Sequence, residues 1–402
     1  MRGQSNGGHG KNDDIIVITD PLRDRYASLE LLSWWQREKV KNAKLMVIGA
    51  GALGNEVLKN LALMGVGYIF VADFDTVEDA NLSRSVLFRA SDNGRLKAQV
   101  AAERVKEINP DVKVKYINGD ITKDIGLGIF RRMDVVIGCL DNREARLFTN
   151  RACWKIGRPW VDGAIEEMNG RVTTFVPPGG ACYECTLTER DYQAMNVRYS
   201  CPLLARENLM EGKVPTTPTI SSIIAGIQTQ EALKILHGMA VKGGGAFIFN
   251  GLTNDCYTTL YSRNEECQSH YTFEPIIQLD YATSEVTFGQ LLGIARKHLS
   301  GDAILDLGQD LVLSLTCPQC GARTELFILL NRLTESEARC PSCGQLRAMD
   351  MTCTVGEQNA PLLGANLQET GIPALDIVAA KDNASCCYFE LGKDEDQVMN
   401  FT

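Results

Sequence analysis

Three glycines, Gly49, Gly51 and Gly54, stand in the run VIGAGALG, and Asp73 follows at the end of the next apolar run, YIFVADFD. A GxGxxG turn between a strand and a helix lets a phosphate approach backbone N–H groups at a helix N-terminus, and an acid about 20 residues on can hold a ribose hydroxyl pair. That signature alone does not separate NAD from ATP. The residues after it do: DFDTVEDANLSRS adds Asp75, Asn81 and Arg84, GRLKAQ adds Lys97, and CLDNREARLFTN adds Asp141, Asn142, Arg146 and Asn150. A hydride-transfer site needs a dry nicotinamide pocket. Attack on the α-phosphate of ATP needs cations to stabilise developing negative charge and a carboxylate to hold magnesium. Arg84 and Lys97 would supply the first and Asp141 the second, although each taken singly is an ordinary solvated surface residue.

The fourteen cysteines offer a second chemistry. TCPQC holds Cys317 and Cys320, and RCPSC, after a gap of 19 residues, holds Cys340 and Cys343. Each CxxC turn presents two thiolates to one tetrahedral ion, so this spacing predicts a closed structural zinc site in a small ribbon. A looser set joins Cys182 and Cys185 of CYEC to Cys267 and His270 of ECQSH. Zinc and a redox CxxC both remain open there, but no thioredoxin-like pattern surrounds the pair. Cys139 and Cys153 read as small core residues, and Cys256, Cys353, Cys386 and Cys387 as packing residues in or near strands. Cys201 lies in VRYSCPLLARE with Arg198 and Arg206 nearby, in a stretch without convincing helix or strand period. Positive charge lowers a thiol's pKa from about 8.5, so Cys201 is the candidate nucleophile; the alternative is a loop cysteine without chemistry.

These residues need a scaffold. From Ala43 the chain alternates LMVIGAG, NEVLKNLALMG, YIFVADFD, LKAQVAAERVKEI, VKVKYINGD and DVVIGCLDN, short apolar strands separated by helical stretches. That order predicts an α/β, doubly wound, Rossmann-like and mainly parallel sheet. RPWVDGAI and GRVTTFVPP add strands, a polar irregular region runs through Pro218, SIIAGIQTQEALKIL is helical, and FIFNGL resumes strand character. We expect a disordered arm over residues 1–20, a main domain over 21–275 and a zinc-ribbon-containing C-terminal domain over 276–402. A formal net charge of −9 argues against a protein whose main task is to hold nucleic acid or an anionic membrane. The polar, Gly-rich N-terminus has no signal-peptide pattern and no apolar run approaches bilayer length, so a soluble, cytoplasmic protein is expected.

From about Arg25 to His270 the chain resembles the adenylating family that includes the ubiquitin-activating enzymes and their bacterial relatives in molybdopterin and thiamin biosynthesis. The pieces that carry the resemblance are Arg25-Tyr26, GAGALG, DFDTVEDANLSR, the Lys97 segment, LDNREARLFTN, CYEC and ECQSH. It implies an enzyme that uses ATP and magnesium to adenylate the C-terminal glycine of a ubiquitin-like or sulfur-carrier protein, releasing pyrophosphate. It further implies that Asp73 binds ribose, Arg84 and Lys97 the triphosphate and Asp141 magnesium, that Asn81 positions the acyl phosphate, and that a zinc ion sits on the CYEC and ECQSH set, where His270 replaces the family's last cysteine. Residues about 187–218 would be the loop crossing over the adenylation site, with Cys201 taking the activated carrier as a thioester or persulfide. One departure stands out: the family's RYxRQ, whose second arginine reaches a partner subunit's ATP site, is RYASL here, with Ser28 at that position. Arg25 or Arg23 would have to substitute in a homodimer. The expected function is a two-step activating enzyme that hands a thioester to a conjugating enzyme. A sulfur-carrier adenylyltransferase, a non-catalytic scaffold partner of an activating enzyme and a nicotinamide oxidoreductase are the alternatives.

Overall fold

The computed structural model of the chain describes residues 24–200 and 215–401. The arm at residues 1–20, Arg23 and Cys201 lie outside the described residues.

Alternation within each strand decides the layering. In β1 (Lys44–Ile48), Leu45 and Val47 enter one core while Met46 and Ile48 enter another. A strand buried on both faces requires an unbroken apolar run, because successive side chains point to opposite faces. β2 (Tyr68–Ala72) divides in the same way, Ile69 and Val71 against Phe70 and Ala72. With β3 (Lys113–Ile117), β4 (Val135–Gly138), β5 (Trp160–Glu166), β6 (Asn169–Phe175), β7 (Gly245–Asn250) and β8 (Asp255–Leu260), these form an eight-stranded sheet of order β3-β2-β1-β4-β5-β6-β7-β8. Pairings from β3 to β5 are parallel, and those from β5 to β8 are antiparallel.

After the short helices α1 (Ala27–Glu30) and α2 (Arg37–Asn42), α3 (Ala52–Met64) and α4 (Lys97–Ile108) cover one face. They share it with α8 (Pro218–His237), which starts at a Thr217 cap with proline in its first turn and stops at Gly238 in the left-handed conformation. On the other face lie α5 (Leu127–Arg131) and α6 (Arg143–Lys155), whose Ile129, Phe130, Ala152 and Cys153 meet Met46 and Val136. The sequence order reverses between β1 and β4, and at such a switch point a crevice opens beyond the strand C-termini.

The stretch between CYEC and Pro218 was expected to be irregular, yet α7 occupies Glu189–Ser200. Its residues are mostly polar, so no apolar stripe marks it. Capping marks it instead: the Thr188 amide and hydroxyl both donate to Asp191 Oδ2, at 2.8 and 2.6 Å.

A second sheet begins at β9 (Ile276–Leu279) and contains β10 (Ile304–Thr316), β11 (Arg323–Leu329), β12 (Ala348–Val355), β13 (Ile377–Lys381) and β14 (Cys386–Leu391). Its order is β11-β10-β13-β14-β9, with β12 also paired to β10. The ribbon with the two CxxC turns is one end of this sheet. The 13-residue β10 pairs with β13 through Ile304–Asp306 and with β12 on both sides of a bulge, at Leu305–Asp306 and from Leu311 to Thr316, where it also carries β11. Because one long strand serves both parts, the ribbon leans on a core built with α9 (Phe288–His298), where Phe288, Leu291, Leu305, Val378 and Phe389 are buried. The second sheet packs on α5: Gly128 N–H donates to Leu375 O at 2.8 Å, and fully buried Glu390 accepts from Arg131 and Arg132. A Cβ on Gly128 would lie 2.4 Å from Leu375 O, so glycine is what permits this approach. Among the described residues no helix is long and apolar enough to cross a membrane.

Candidate active site and metal centres

The glycine loop leaves β1 at the switch point. Gly49 has φ +93°, a left-handed value that glycine adopts freely, and a Cβ there would sit 2.3 Å from Cys139 O at the end of β4. A Cβ on Gly54 would sit 1.9 Å from Gly49 O, so that glycine lets α3 close on its own loop. Gly51 differs: it opens α3 with no side-chain cap, and a Cβ on it would meet nothing within 4 Å. The first turn of a helix carries N–H groups without intrahelical partners and a partial positive charge. Gly51 therefore leaves open space in front of an anion-binding helix end.

Asp73, at the end of β2, accepts from the Ala50 amide at 2.7 Å and the Asp75 amide at 2.8 Å. Burial pushes its carboxyl above the usual range, against the opposing pull of the Ala50 amide and the Lys97 charge. Each carboxylate oxygen has a second lone pair, so it can still accept from a hydroxyl. Asp75 Oδ2 lies 2.6 Å from Lys97 Nζ, and the Lys97 amide donates to Asp75 O at 2.9 Å. Lys97 is the first residue of α4, only 11% exposed at its side chain, so its cation is held at one edge of the same crevice. Asn81 is buried and accepts from the Glu78 amide at 3.0 Å, and Arg84 donates to Ala80 O at 2.8 Å. Asp141 is exposed on the β4–α6 turn, and Asn142 caps α6 by accepting from the Ala145 amide at 2.8 Å.

The other predicted residues lie apart from this crevice. Arg146 reaches Asp162 at 3.0 Å and the carbonyls of Leu140 and Gly163, bracing the turn that carries Asp141. Asn150 is fully buried and faces the metal turn, accepting from the Tyr183 amide at 2.9 Å and donating to Ser269 Oγ at 3.1 Å. Arg25 donates to Ile108 O at 3.1 Å, at the opposite end of α4 from Lys97. A 12-residue helix is about 18 Å long, so within one chain Arg25 does not reach the glycine loop. Its neighbour Tyr26 is buried against Gly65 and bonded to Asn109 and Asp111, a structural post. Ser28 is exposed on α1.

Asn55 is a site residue the sequence did not point to. It is fully buried, donates to the carbonyls of Ala50 at 2.7 Å and Gly51 at 3.0 Å, and accepts from the Leu87 amide at 2.8 Å. It thus ties the glycine loop to the segment following Arg84. The signal was a polar residue directly after the third glycine, at a helical position facing the core.

Both ligand sets converge. Cys182, Cys185, Cys267 and His270 bring one ligand atom each within 4.8 Å of one another, as do Cys317, Cys320, Cys340 and Cys343. Tetrahedral Zn–S bonds of about 2.3 Å place sulfurs about 3.8 Å apart. The observed separations are 3.7 Å for Cys182–Cys185, 3.6 Å for Cys182–Cys267, 3.5 Å for Cys317–Cys343 and 3.6 Å for Cys320–Cys340. His270 Nε2 lies 3.4 Å from Cys185 Sγ, its ring stacks on Trp154 at 4.4 Å, and burial and the nearby Arg263 charge favour its neutral, ligating form. In the ribbon the Ser342 and Cys343 amides draw the Cys340 thiol down and the Cys320 and Gln319 amides the Cys317 thiol, while Cys320 and Cys343 beside them are raised, so the four thiols titrate as one packed set. Cys139, by contrast, has its thiol pushed up by burial, and Cys153 is fully buried, as expected of core thiols.

The ThiF family model matches residues 24–269. "Ubiquitin-like modifier-activating enzyme 5" of Dictyostelium discoideum is 31% identical over 213 residues, 50% of this chain and 54% of that protein. "Sulfur carrier protein adenylyltransferase" of Thermus thermophilus is 32% identical over 237 residues, 58% of this chain and 83% of that protein. The chain thus spans about half the length of the first relative and most of the second. Among solved structures, E. coli MccB with ATP superposes at a TM-score of 0.51 with 21% identity over 62% of this chain and 75% of that one, a likeness of fold. With a family match over more than half its length and the family's glycine loop at the switch point of the sheet, the chain belongs to the ThiF family.

Proposed function

We propose that the chain is an ATP-dependent activating enzyme that adenylates the C-terminal glycine of a small ubiquitin-like protein and captures it as a thioester on Cys201 for transfer to a conjugating enzyme. The observation that carries this reading is the crevice itself: open space before the α3 N-terminus at Gly51, with Asp73 behind it and the Lys97 cation at its edge. In this reading Asp73 holds the ribose, Arg84 and Lys97 balance the triphosphate, Asn81 positions the reacting phosphate, and Asp141 holds the magnesium that accompanies ATP.

In the first step a carboxylate oxygen of the carrier attacks the α-phosphate, an O–P bond forms, and pyrophosphate leaves. In the second, the Cys201 thiolate attacks the acyl carbon, the C–S bond forms, and AMP leaves. Adenylate is a good leaving group, so the second step needs mainly proximity. Full burial counts against Cys153 as the nucleophile, and desolvation, which raises its thiol, counts against half-buried Cys139. Because Arg25 lies at the far end of α4 in its own chain, any contribution from it to an ATP site would come in trans, in a homodimer.

A second reading is favoured by the Thermus relative, of which the chain spans 83%: a sulfur-carrier adenylyltransferase, whose product is a thiocarboxylate. The two separate on one gel. Incubation with ATP, magnesium and a Gly-ending carrier should give a carrier adduct that excess small-molecule thiol removes, a phosphine reductant leaves intact and Cys201→Ala abolishes. No adduct, with carrier adenylate still formed, refutes the thioester step.

A further inference from the structure

Beyond Asp73 the chain enters a short antiparallel pairing. Thr76 bridges Leu96, and the Val77 amide donates to Arg95 O and the Gly94 amide to Val77 O, both at 2.8 Å. Asp75 heads this pairing and is fixed at both ends of its backbone: its amide donates to Asp73 Oδ1 at 2.8 Å, and its carbonyl accepts from the Lys97 amide at 2.9 Å. Asp73 in turn accepts from the Ala50 amide of the glycine loop at 2.7 Å. A continuous chain of bonds therefore runs from the glycine loop through Asp73 and Asp75 to Lys97. Of its links only the last joins two side chains, Asp75 Oδ2 and Lys97 Nζ at 2.6 Å.

The two ends of that link differ. The Lys97 side chain is 11% exposed, so its stem is held against the protein, whereas the Asp75 side chain is 51% exposed and its carboxylate meets water. An ion pair open to solvent on one side is weak enough to exchange, and a polyphosphate presents several charged oxygens to the same amine. We infer that Asp75 is a positioning residue that parks Lys97: it aims the amine along the crevice edge while the site is empty, releases it to the phosphates when ATP enters, and recaptures it when pyrophosphate leaves. This rests on the adenylation reading above. Asp75 touches no substrate in this scheme and acts only through Lys97. Its charge therefore opposes phosphate binding, of substrate and of leaving product alike, because each must displace a carboxylate from the amine.

The test is a double-mutant cycle on the full metal-loaded chain, with ATP and inorganic pyrophosphate, each with magnesium, as separate probes in calorimetric titration. Asp75→Asn should bind both anions more tightly, up to about fivefold, the scale of a partly exposed ion pair. Asp75→Glu, which keeps the charge, should bind them as the wild type does, and Lys97→Ala should weaken both. In the Lys97→Ala background Asp75→Asn should bring no gain, because no amine is left to release. Asp75→Asn binding ATP no more tightly than the wild type overturns the inference. So does an equal gain in the absence of Lys97, since Asp75 would then act on the phosphates directly. Failure of the wild type to bind either anion overturns the nucleotide reading and this inference with it.

Discussion

Gly51→Ala separates a ligand role from a structural one. The backbone there has φ −74° and ψ −158°, extended values open to alanine, and the new methyl would meet nothing within 4 Å. Folding stability should therefore stay within about 0.5 kcal/mol of wild type, as for a substitution without contacts. A phosphate packed against the α3 N-terminus would meet that methyl. Overpacking costs about 1–3 kcal/mol, which is about a 5- to 150-fold loss of ATP affinity. Gly54→Ala is the control. Its methyl would lie 1.9 Å from Gly49 O, inside the 3.0 Å that real Cβ contacts respect, so loop and helix must part by about 1 Å. It should lower stability by about 1–3 kcal/mol with or without nucleotide. Calorimetric titration with ATP and magnesium, beside urea denaturation, reads both effects. Gly51→Ala binding ATP as tightly as wild type would refute the claim that this loop cradles phosphates.

Three further outcomes follow from the same geometry. Asn55→Ala strands the Leu87 amide and the Ala50 carbonyl, and at about 1–3 kcal/mol for each buried group it should cost about 2–6 kcal/mol in urea denaturation. Metal analysis should return two zinc ions per chain, and Cys340→Ser should release one and expose the ribbon to protease while the Cys182 set keeps its ion. Asp92 gives a pH signature: burial would raise its carboxyl, but the Arg89 amide, Arg104 and Arg95 outweigh it and hold the pKa low. A depressed folded pKa contributes stability above the unfolded value of about 3.9 and loses it as pH falls through the lower folded one. The stability gap between wild type and Asp92→Asn should thus be level above about pH 5 and shrink below about pH 4.

What the chain revealed before folding follows from how local each signal is. β1, the glycine turn and α3 are contiguous, and so are the two CxxC turns of the ribbon, so spacing alone exposed them. The Cys182 set was weaker because about eighty residues separate its halves, and only the fold brings His270 Nε2 to Cys185. α7 was hidden because its identity rests on the Thr188–Asp191 cap and not on apolar period. The division of labour along α6 was also invisible: Asn142, Arg146 and Asn150 look alike as polar residues four apart, yet one caps the helix, one braces Asp162 and one serves the metal turn. Asn55 was passed over because its three partners lie on two segments, residues 50–51 and 87, that only tertiary structure joins to it.

The most direct test of the central claim is exchange of labelled pyrophosphate into ATP. It should appear when a β-grasp carrier ending in glycine is supplied, vanish when that glycine is deleted or Asp141 is changed to alanine, and persist in Cys201→Ala. Exchange that is indifferent to the carrier's terminal glycine, or that survives Asp141→Ala at full rate, would contradict it.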